Sequence, residues 1–342
     1  MLLKISKYYL LAAFSLLLLV SCNKEISDGN FTTYAGNDMN DTTWSYSTTP
    51  GLALQRISDS ASIYKYNDTL LGANGKTIVF SDHFSLILPP NAFVNSVGAP
   101  VSGTINIRVI LLDEKSEFIR SIKASLNNGN LLESDLAFCI IATAYGQELS
   151  IASGSNYIIR VGNKDNIVKQ GMTVYKGDES IVYTTQLLVD PLFNWNENTT
   201  QDYQQSIFKQ PGNSGSKEIE RYEITTNKLR WISLARPLNN IGLQGKFNLI
   251  LPPNFTNKNT LAFISTDDYN SVIQLKPELA SRSFTANNIP LQKKIHIVTI
   301  SLIGTQFYYS EQSIKALNNT PVLSLKPQKK SLIGIIADLK KL

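Results

Sequence analysis

Thr104-Ile105-Asn106-Ile107-Arg108-Val109 reads as a strand with one wet face and one dry face. Polar and aliphatic residues alternate with a period of two, the pattern of a half-buried antiparallel strand. On the N-terminal side, Phe84, Leu86 and Leu88 repeat the alternation and stop at Pro89-Pro90, where proline cannot donate to a sheet ladder. On the C-terminal side, Tyr157 to Val161 and Ile181 to Thr185 are rich in β-branched and aromatic residues. Turn residues at Gly162-Asn163 and Lys176-Gly177-Asp178 bound them. Many short strands with such punctuation predict an all-β chain built as a sandwich or a barrel. A helical stripe emerges only at the end, where Leu332, Ile335, Ile336 and Leu339 fall at helical spacing behind Ser331 as a cap.

The N-terminus sets the expected compartment. Lys4 and Lys7 precede an apolar run from Tyr8 to Val20. A bilayer span takes roughly 20 apolar residues, so this run is too short to cross and instead fits the core of a secretory signal. It ends in Leu19-Val20-Ser21-Cys22, with an aliphatic residue three places before the cysteine and a small one just before it. This resembles the lipobox of bacterial lipoproteins. The resemblance implies cleavage before Cys22 and acylation of its thiol and new amino group with chains such as palmitate. Each buried CH₂ then contributes about 0.8 kcal/mol to membrane attachment. The alternative is an ordinary signal peptide with an incidental cysteine. The expected location is the cell envelope, at the outer membrane, with a surface-facing and a periplasmic orientation both open. Asn23-Lys24-Glu25 partly resembles the surface-export signal of Bacteroidota lipoproteins, with Ile26 where a second acidic residue would complete it.

Charge and cysteine content narrow the partners. The formal net charge is +5, and Lys4 and Lys7 leave with the leader. So slight an excess is not the footprint of a nucleic-acid binder. Cys22 and Cys139 are the only cysteines, so acylation of the first leaves no disulfide to form. Cys139, within Ala137-Phe138-Cys139-Ile140-Ile141, is expected to be a buried structural thiol.

The expected organisation has six parts. Residues 1–21 are the signal peptide, and 22–58 are a flexible spacer too poor in aliphatics to fold alone. A first sandwich covers 59–190. A polar linker over 191–220 contains Pro211-Gly212-Asn213-Ser214-Gly215-Ser216. A second sandwich covers 221–330 and the amphipathic helix 331–342. One phrase recurs: Leu86-Ile87-Leu88-Pro89-Pro90-Asn91 returns as Leu249-Ile250-Leu251-Pro252-Pro253-Asn254. It reads as a trace of duplication or as chance use of the same strand ending.

The stretch from Phe84 to Phe93, followed by Gly98-Ala99-Pro100-Val101-Ser102-Gly103, resembles ZU5-like β-sandwich domains. More closely, it resembles a group of uncharacterised Bacteroidota lipoproteins, through Arg120-Ser121, Leu132-Glu133-Ser134, Gly146-Gln147-Glu148-Leu149, Trp195 and Trp231 in order. The resemblance runs from about 75 to 325. It implies a ZU5-like sandwich, then an Ig/transthyretin-like one, at the cell envelope, and it implies no reaction. Two departures stand out. Asp135-Leu136 replaces a glycine pair, and Ile232-Ser233-Leu234-Ala235 replaces a polar stretch.

Catalytic, cofactor and metal sites are not expected. With His83 and His296 as the only histidines, the sequence lacks a His-Glu-x-x-His helix, a Cys-x-x-Cys pair, a Walker loop and a Gly-x-Ser-x-Gly elbow. Asp113-Glu114 with Glu117, and Asp267-Asp268, form acidic groups whose spacing matches no calcium loop. His83-Phe84-Ser85 matches a tripeptide at which some ZU5-containing proteins cut themselves by serine attack on the preceding carbonyl; an ordinary strand is the plainer reading. Thr42, Ser60 and Thr69 each follow an aspartate, as in the O-glycosylation signal of Bacteroidota. The expected role is a non-catalytic, lipid-anchored module that binds an envelope protein, with a glycan as the alternative ligand and a glycan-directed enzyme as the third reading. Trp195, Trp231 and Tyr308-Tyr309 are candidate contact residues, with core filling as the alternative.

Overall fold

One strand of fifteen residues, Asn130–Ala144, carries an apolar residue on both of its faces. Leu136, Phe138, Ile140 and Ala142 enter one core, while Ala137, Cys139 and Ile141 enter another. A strand dry on both sides reads as a continuous apolar run instead of an alternation. The computed structural model describes residues 41–47, 51–61, 63, 65–164, 167–179, 190, 193–210, 218–239, 242–315 and 322–342. They form an all-β protein of antiparallel sheets with three short helices.

Four large sheets stack as layers, beside a small pair of Phe93–Val94 with Ser150–Ile151. Sheet 1, on the outside, runs Tyr203–Gln210, Ile219–Thr226, Tyr157–Val161, Phe84–Leu88, Lys76–Ser81. Sheet 2 runs Lys65–Leu71, Thr104–Leu112, Asn130–Ala144, Arg230–Pro237, Thr173–Asp178, Asn194–Glu197. Sheet 3 runs Val272–Gln274, Thr260–Thr266, Ile295–Ile303, Gln306–Ile314, Gln328–Lys329. Sheet 4, on the other outside, runs Lys276–Glu278, Ser283–Pro290, Gln244–Ile250, Val322–Ser324, the last pair being parallel. Sheets 1 and 2 enclose the first core, with Phe84, Leu86, Tyr157 and Ile224 against Ile107, Phe138 and Ile232. Sheets 3 and 4 enclose the third, with Ile264, Ile297 and Tyr308 against Phe247, Leu249 and Phe284.

The middle core joins the two sandwiches. Trp195, Trp231, Tyr175 and Cys139 of sheet 2 belong to the same apolar cluster as Phe263, Val298, Ile300 and Tyr309 of sheet 3. Trp195 and Trp231 cross edge to face at 6.3 Å, a favoured arrangement of aromatic quadrupoles. Helices α1 (Leu52–Ser60), α2 (Lys115–Ser121) and α3 (Leu332–Leu339) contribute Leu54 and Ile57, Phe118 and Ile119, and Ile335 and Leu339 to that layer. α3 lies at the expected place, and the Ser331 hydroxyl accepts from Gly334 N–H at 3.2 Å. α2 was not anticipated. It is held at its start by a capping box between Glu114 and Glu117 and ends where Ile122 turns left-handed, at φ 56°.

Two boundaries differ from those read in the sequence. Within the expected spacer over 22–58, the described residues are docked on the second sandwich. Trp44 packs on Phe284 at 5.2 Å, and Asp41 pairs with Lys258. Asn257 donates to Ser45 O and accepts from Ser45 N–H. The few apolar residues here cannot form a core alone, but a finished sandwich supplies the surface they lack. The expected linker over 191–220 also holds strands of the first sandwich, and so does the start of the expected second sandwich. Ile219–Thr226 pairs with Tyr157–Val161, and Arg230–Pro237 pairs with Asn130–Ala144. The first sandwich therefore closes at Pro237, and the second begins at Gln244. The Asn- and Gln-rich composition misled because Tyr203–Gln210 is an edge strand most of whose side chains face water. The expected strand from Ile181 to Thr185, and Cys22, lie outside the described residues.

Because both inner sheets share one core, the chain should unfold in a single step. Denaturant titrations followed by tryptophan fluorescence and by circular dichroism should give the same midpoint, and Trp231→Ala should lower stability by about 3–5 kcal/mol. Two separated transitions in the wild-type chain would contradict the shared layer.

Candidate functional site

The longest apolar strand is interrupted by three polar residues, Glu133, Ser134 and Asp135, all buried. The backbone explains their placement. In the pairing with Arg230–Pro237, Leu234 faces Leu136 while Ala235 faces Ser134, so Asp135 is the extra residue of a β-bulge. Bulges re-aim side chains, and the Asp135 carboxylate meets partners outside its own strand pair. It accepts from Tyr222 Oη at 2.7 Å and from Asn163 Nδ2 at 3.2 Å, with Lys169 Nζ at 3.5 Å. Glu133 beside it accepts from Arg236 Nη2 and Nε at 2.7 and 2.9 Å, and Lys169 bridges the two acids. Burial, and then the hydrogen bond to Asp135, hold the Tyr222 hydroxyl far above its ordinary pKa, so it stays a donor.

This network forms one wall of a cleft of about 430 Å³ to which both sandwiches contribute. Ser134 N–H donates to Asn270 O across the junction, and Asn270 Nδ2 donates to Asp113 O. Asp113 and Glu114, at the start of α2, pair with Lys164. The Lys164 ammonium holds Glu114 below the usual carboxylate range. Glu117 behaves oppositely: burial, and then hydrogen bonding with the Asp113 carboxyl, push it up to about 7. Its Oε2 accepts from the Asp113 and Glu114 backbone N–H groups. Leu339, Lys340 and Leu342 from the C-terminus complete the rim. Each cleft carboxylate is tied to a cation or to backbone donors, so the arrangement presents a fixed mosaic of charges and amides. That suits recognition of a polar surface better than bond breaking.

Two other clusters have chemical character. Lys123 is buried with its ammonium 3.9 Å from the Phe193 ring centre and 5.2 Å from that of Trp231. Burial lowers its pKa to about 8, against the fields of Glu179 and Asp190. Arg230, in a left-handed conformation at φ 76°, is clamped by Glu179 at 2.7 Å and by Glu148 at 3.3 Å. Burial pushes the Cys139 thiol up to about 12, which removes it as a nucleophile. On sheet 3, Ser313 Oγ lies 2.8 Å from His296 Nδ1, and His296 Nε2 bonds to Asp267. The order is that of an acyl-transfer triad, which also requires donors aimed at the developing oxyanion. Here the row lies across neighbouring strands with Ser313 in the open, and Glu311 approaches the same imidazole nitrogen at 3.6 Å.

The residues singled out in the sequence are dispersed. His83 closes the turn before an inner strand of sheet 1 that Phe84 and Ser85 begin, with Phe84 wholly in the first core and Ser85 paired between Val79 and Arg160. His83 Nδ1 is buried without a hydrogen-bond partner, and His83 O accepts from Gly162 N–H. Thr42, Ser60 and Thr69 are exposed, Thr69 on the edge strand of sheet 2. Trp195, Trp231, Tyr308 and Tyr309 are all buried and fill cores. Asp113 and Glu117 are brought together. Asp135 was visible only as a departure from a glycine pair, although a polar triplet inside an apolar strand is a readable signal. Lys123 carried no signal at all.

Asp135→Ala should cost about 1–3 kcal/mol, the penalty for stranding a buried donor at Tyr222, measured by denaturant unfolding. Glu117 binds its proton more tightly folded than unfolded, so its contribution is complete below about 4.5 and is lost as pH rises through about 7. Glu117→Gln should flatten the fall in stability across that window, and an unchanged pH profile would count against the shared proton. Comparison with protein-family models, with curated proteins and with solved structures returns no match.

Proposed function

We propose that the chain is a non-catalytic lipoprotein of the cell envelope, tethered through acylated Cys22, which docks a protein partner in the cleft between its sandwiches. One observation carries this reading: the shared middle core fixes both walls of the cleft, and the polar groups lining it are held in place by ion pairs. Rigid, pre-organised surfaces bind with less ordering cost than mobile ones. The ZU5-like resemblance agrees with such a role, since these domains serve mainly in assemblies. The glycan reading calls for a row of exposed aromatics on one sandwich face. Among the described residues the strongly exposed aromatics are Tyr46 and Tyr145, one on the N-terminal segment and one in a turn.

Two experiments test the proposal. Cys22→Ala should move the protein from the membrane to the soluble fraction of lysed cells; continued membrane attachment counts against the anchor. A photo-crosslinking residue in place of Lys164, on the cleft rim, should capture one envelope protein on intact cells in amounts comparable to the chain itself. The same residue at Val97, exposed in a turn of the first sandwich, should not. Equal capture from both positions, or from neither, would sink the docking reading.

A further inference from the structure

The edges of the four sheets are protected unequally. A bare edge strand offers unpaired N–H and C=O groups to any passing chain, and proteins blunt it with short length, proline, bulges or charge. Most described edges here are short. Asn194–Glu197 has four residues, Val272–Gln274 and Val322–Ser324 three, and Gln328–Lys329 two. Lys276–Glu278 also has three and contains Pro277, which lacks a donor. On one flank of the first sandwich the edges Lys65–Leu71 and Lys76–Ser81 close on each other. There Lys76 Nζ reaches Asp68 at 3.0 Å and Thr69 O at 2.8 Å.

Tyr203–Gln210 has none of these devices. It is eight residues long, contains no proline, and is bonded along its whole length to Ile219–Thr226 on one side. On the other side no described strand pairs with it. Six of its eight side chains are exposed, and Ile207 leaves 52 % of its surface in water. Its one charge, Lys209, is neutralised within its own hairpin by Glu220 at 2.9 Å and Glu218 at 3.2 Å. The third strand of the sheet, Tyr157–Val161, reaches only Tyr222 to Thr226. Beyond it, Phe208 to Gln210 and their partners Ile219 to Arg221 continue as a two-stranded ribbon, with Arg160 over the Phe208 ring at 3.8 Å.

We propose that this edge pairs antiparallel with the same edge of a second copy of the chain, so that two outer sheets become one continuous sheet across a two-fold axis. Strand addition supplies main-chain hydrogen bonds, and the sequence of the strand suits its own reverse. With the two-fold axis at Ile207, Ile207 meets its own copy, Ser206 meets Phe208 and Gln204 meets Gln210. Lys209 falls opposite Gln205, not opposite a second lysine, and so avoids the like-charge penalty of cross-strand pairs. The contact is isologous and closes on itself, as a two-fold dimer requires. It depends neither on the lipid anchor nor on the cleft.

Sedimentation equilibrium of the full chain in detergent should give the mass of a dimer. Ile207→Lys, which sets two lysines across the axis, should raise the dimer dissociation constant about tenfold or more while leaving the unfolding midpoint of the dilute, monomeric chain unchanged. As an independent check, Ile207→Cys should give a disulfide-linked dimer on a non-reducing gel of intact cells, and Val97→Cys should not. A wild-type chain that is monomeric at its highest soluble concentration overturns the proposal. So does a dimer unaffected by Ile207→Lys, or capture of a different protein through Cys at position 207.

Discussion

The fold depends on burying Asn130–Ala144 on both faces. Sheet 2 alone would leave the Cys139, Ile141 and Trp231 face in water; sheet 3 alone would leave Phe263, Val298 and Ile300 there. Packing the two together removes both apolar surfaces at once, at roughly 25 cal/mol per Å² of apolar area. The helices have no core of their own, so their apolar stripes can be satisfied only at this layer. With two of the four sheets largely denied a solvent face, the chain has less need of charge, and 17 % charged residues is low against a usual quarter.

The cleft is a by-product of the same packing. Two sandwiches meeting face to face leave a seam at the rim, and the chain fills it with groups that can be wet on one side and paired on the other. Glu133 and Asp135 come from the strand that anchors the first core, Asn270 from the approach to sheet 3, and Lys164 and Lys169 from the segment beyond Tyr157–Val161. Deforming the cleft therefore requires sliding one sandwich on the other, against the whole middle layer.

Where a strand has one wet face, its sequence betrays it. Thr104–Leu112 was legible for that reason, Phe84–Leu88 from its alternation ahead of Pro89-Pro90, and the C-terminal helix from its spacing and its serine cap. Three features were not. The Asn- and Gln-rich strand at 203–210 is polar because it lies on an edge, and composition alone cannot separate an edge strand from a linker. Trp44, Leu54 and Ile57 are too sparse to announce a fold, because their burial is supplied by a distant part of the chain. At the site, Asp113, Glu114 and Glu117 stood out as an acidic group because they are close in sequence, while the helix start that joins them did not. The meeting of Asp135 with Tyr222, 87 residues away, is a product of tertiary register that no local pattern encodes.

The bulge at Asp135 has a consequence for how the chain finds its alignment. In most sheets a slip of one residue is forbidden because it would turn polar side chains inward. From Leu136 to Ala142 that safeguard is absent, since either face is apolar and a slipped strand would remain greasy on both sides. What distinguishes the faces is bulk: Phe138 and Ile140 on one, Ala137 and Cys139 on the other. Size alone discriminates weakly. The buried acid is decisive, because a slip would strand Asp135 away from Tyr222, Asn163 and Lys169 in a setting without other donors. The polar kink thus acts as an index mark for the longest of the described strands.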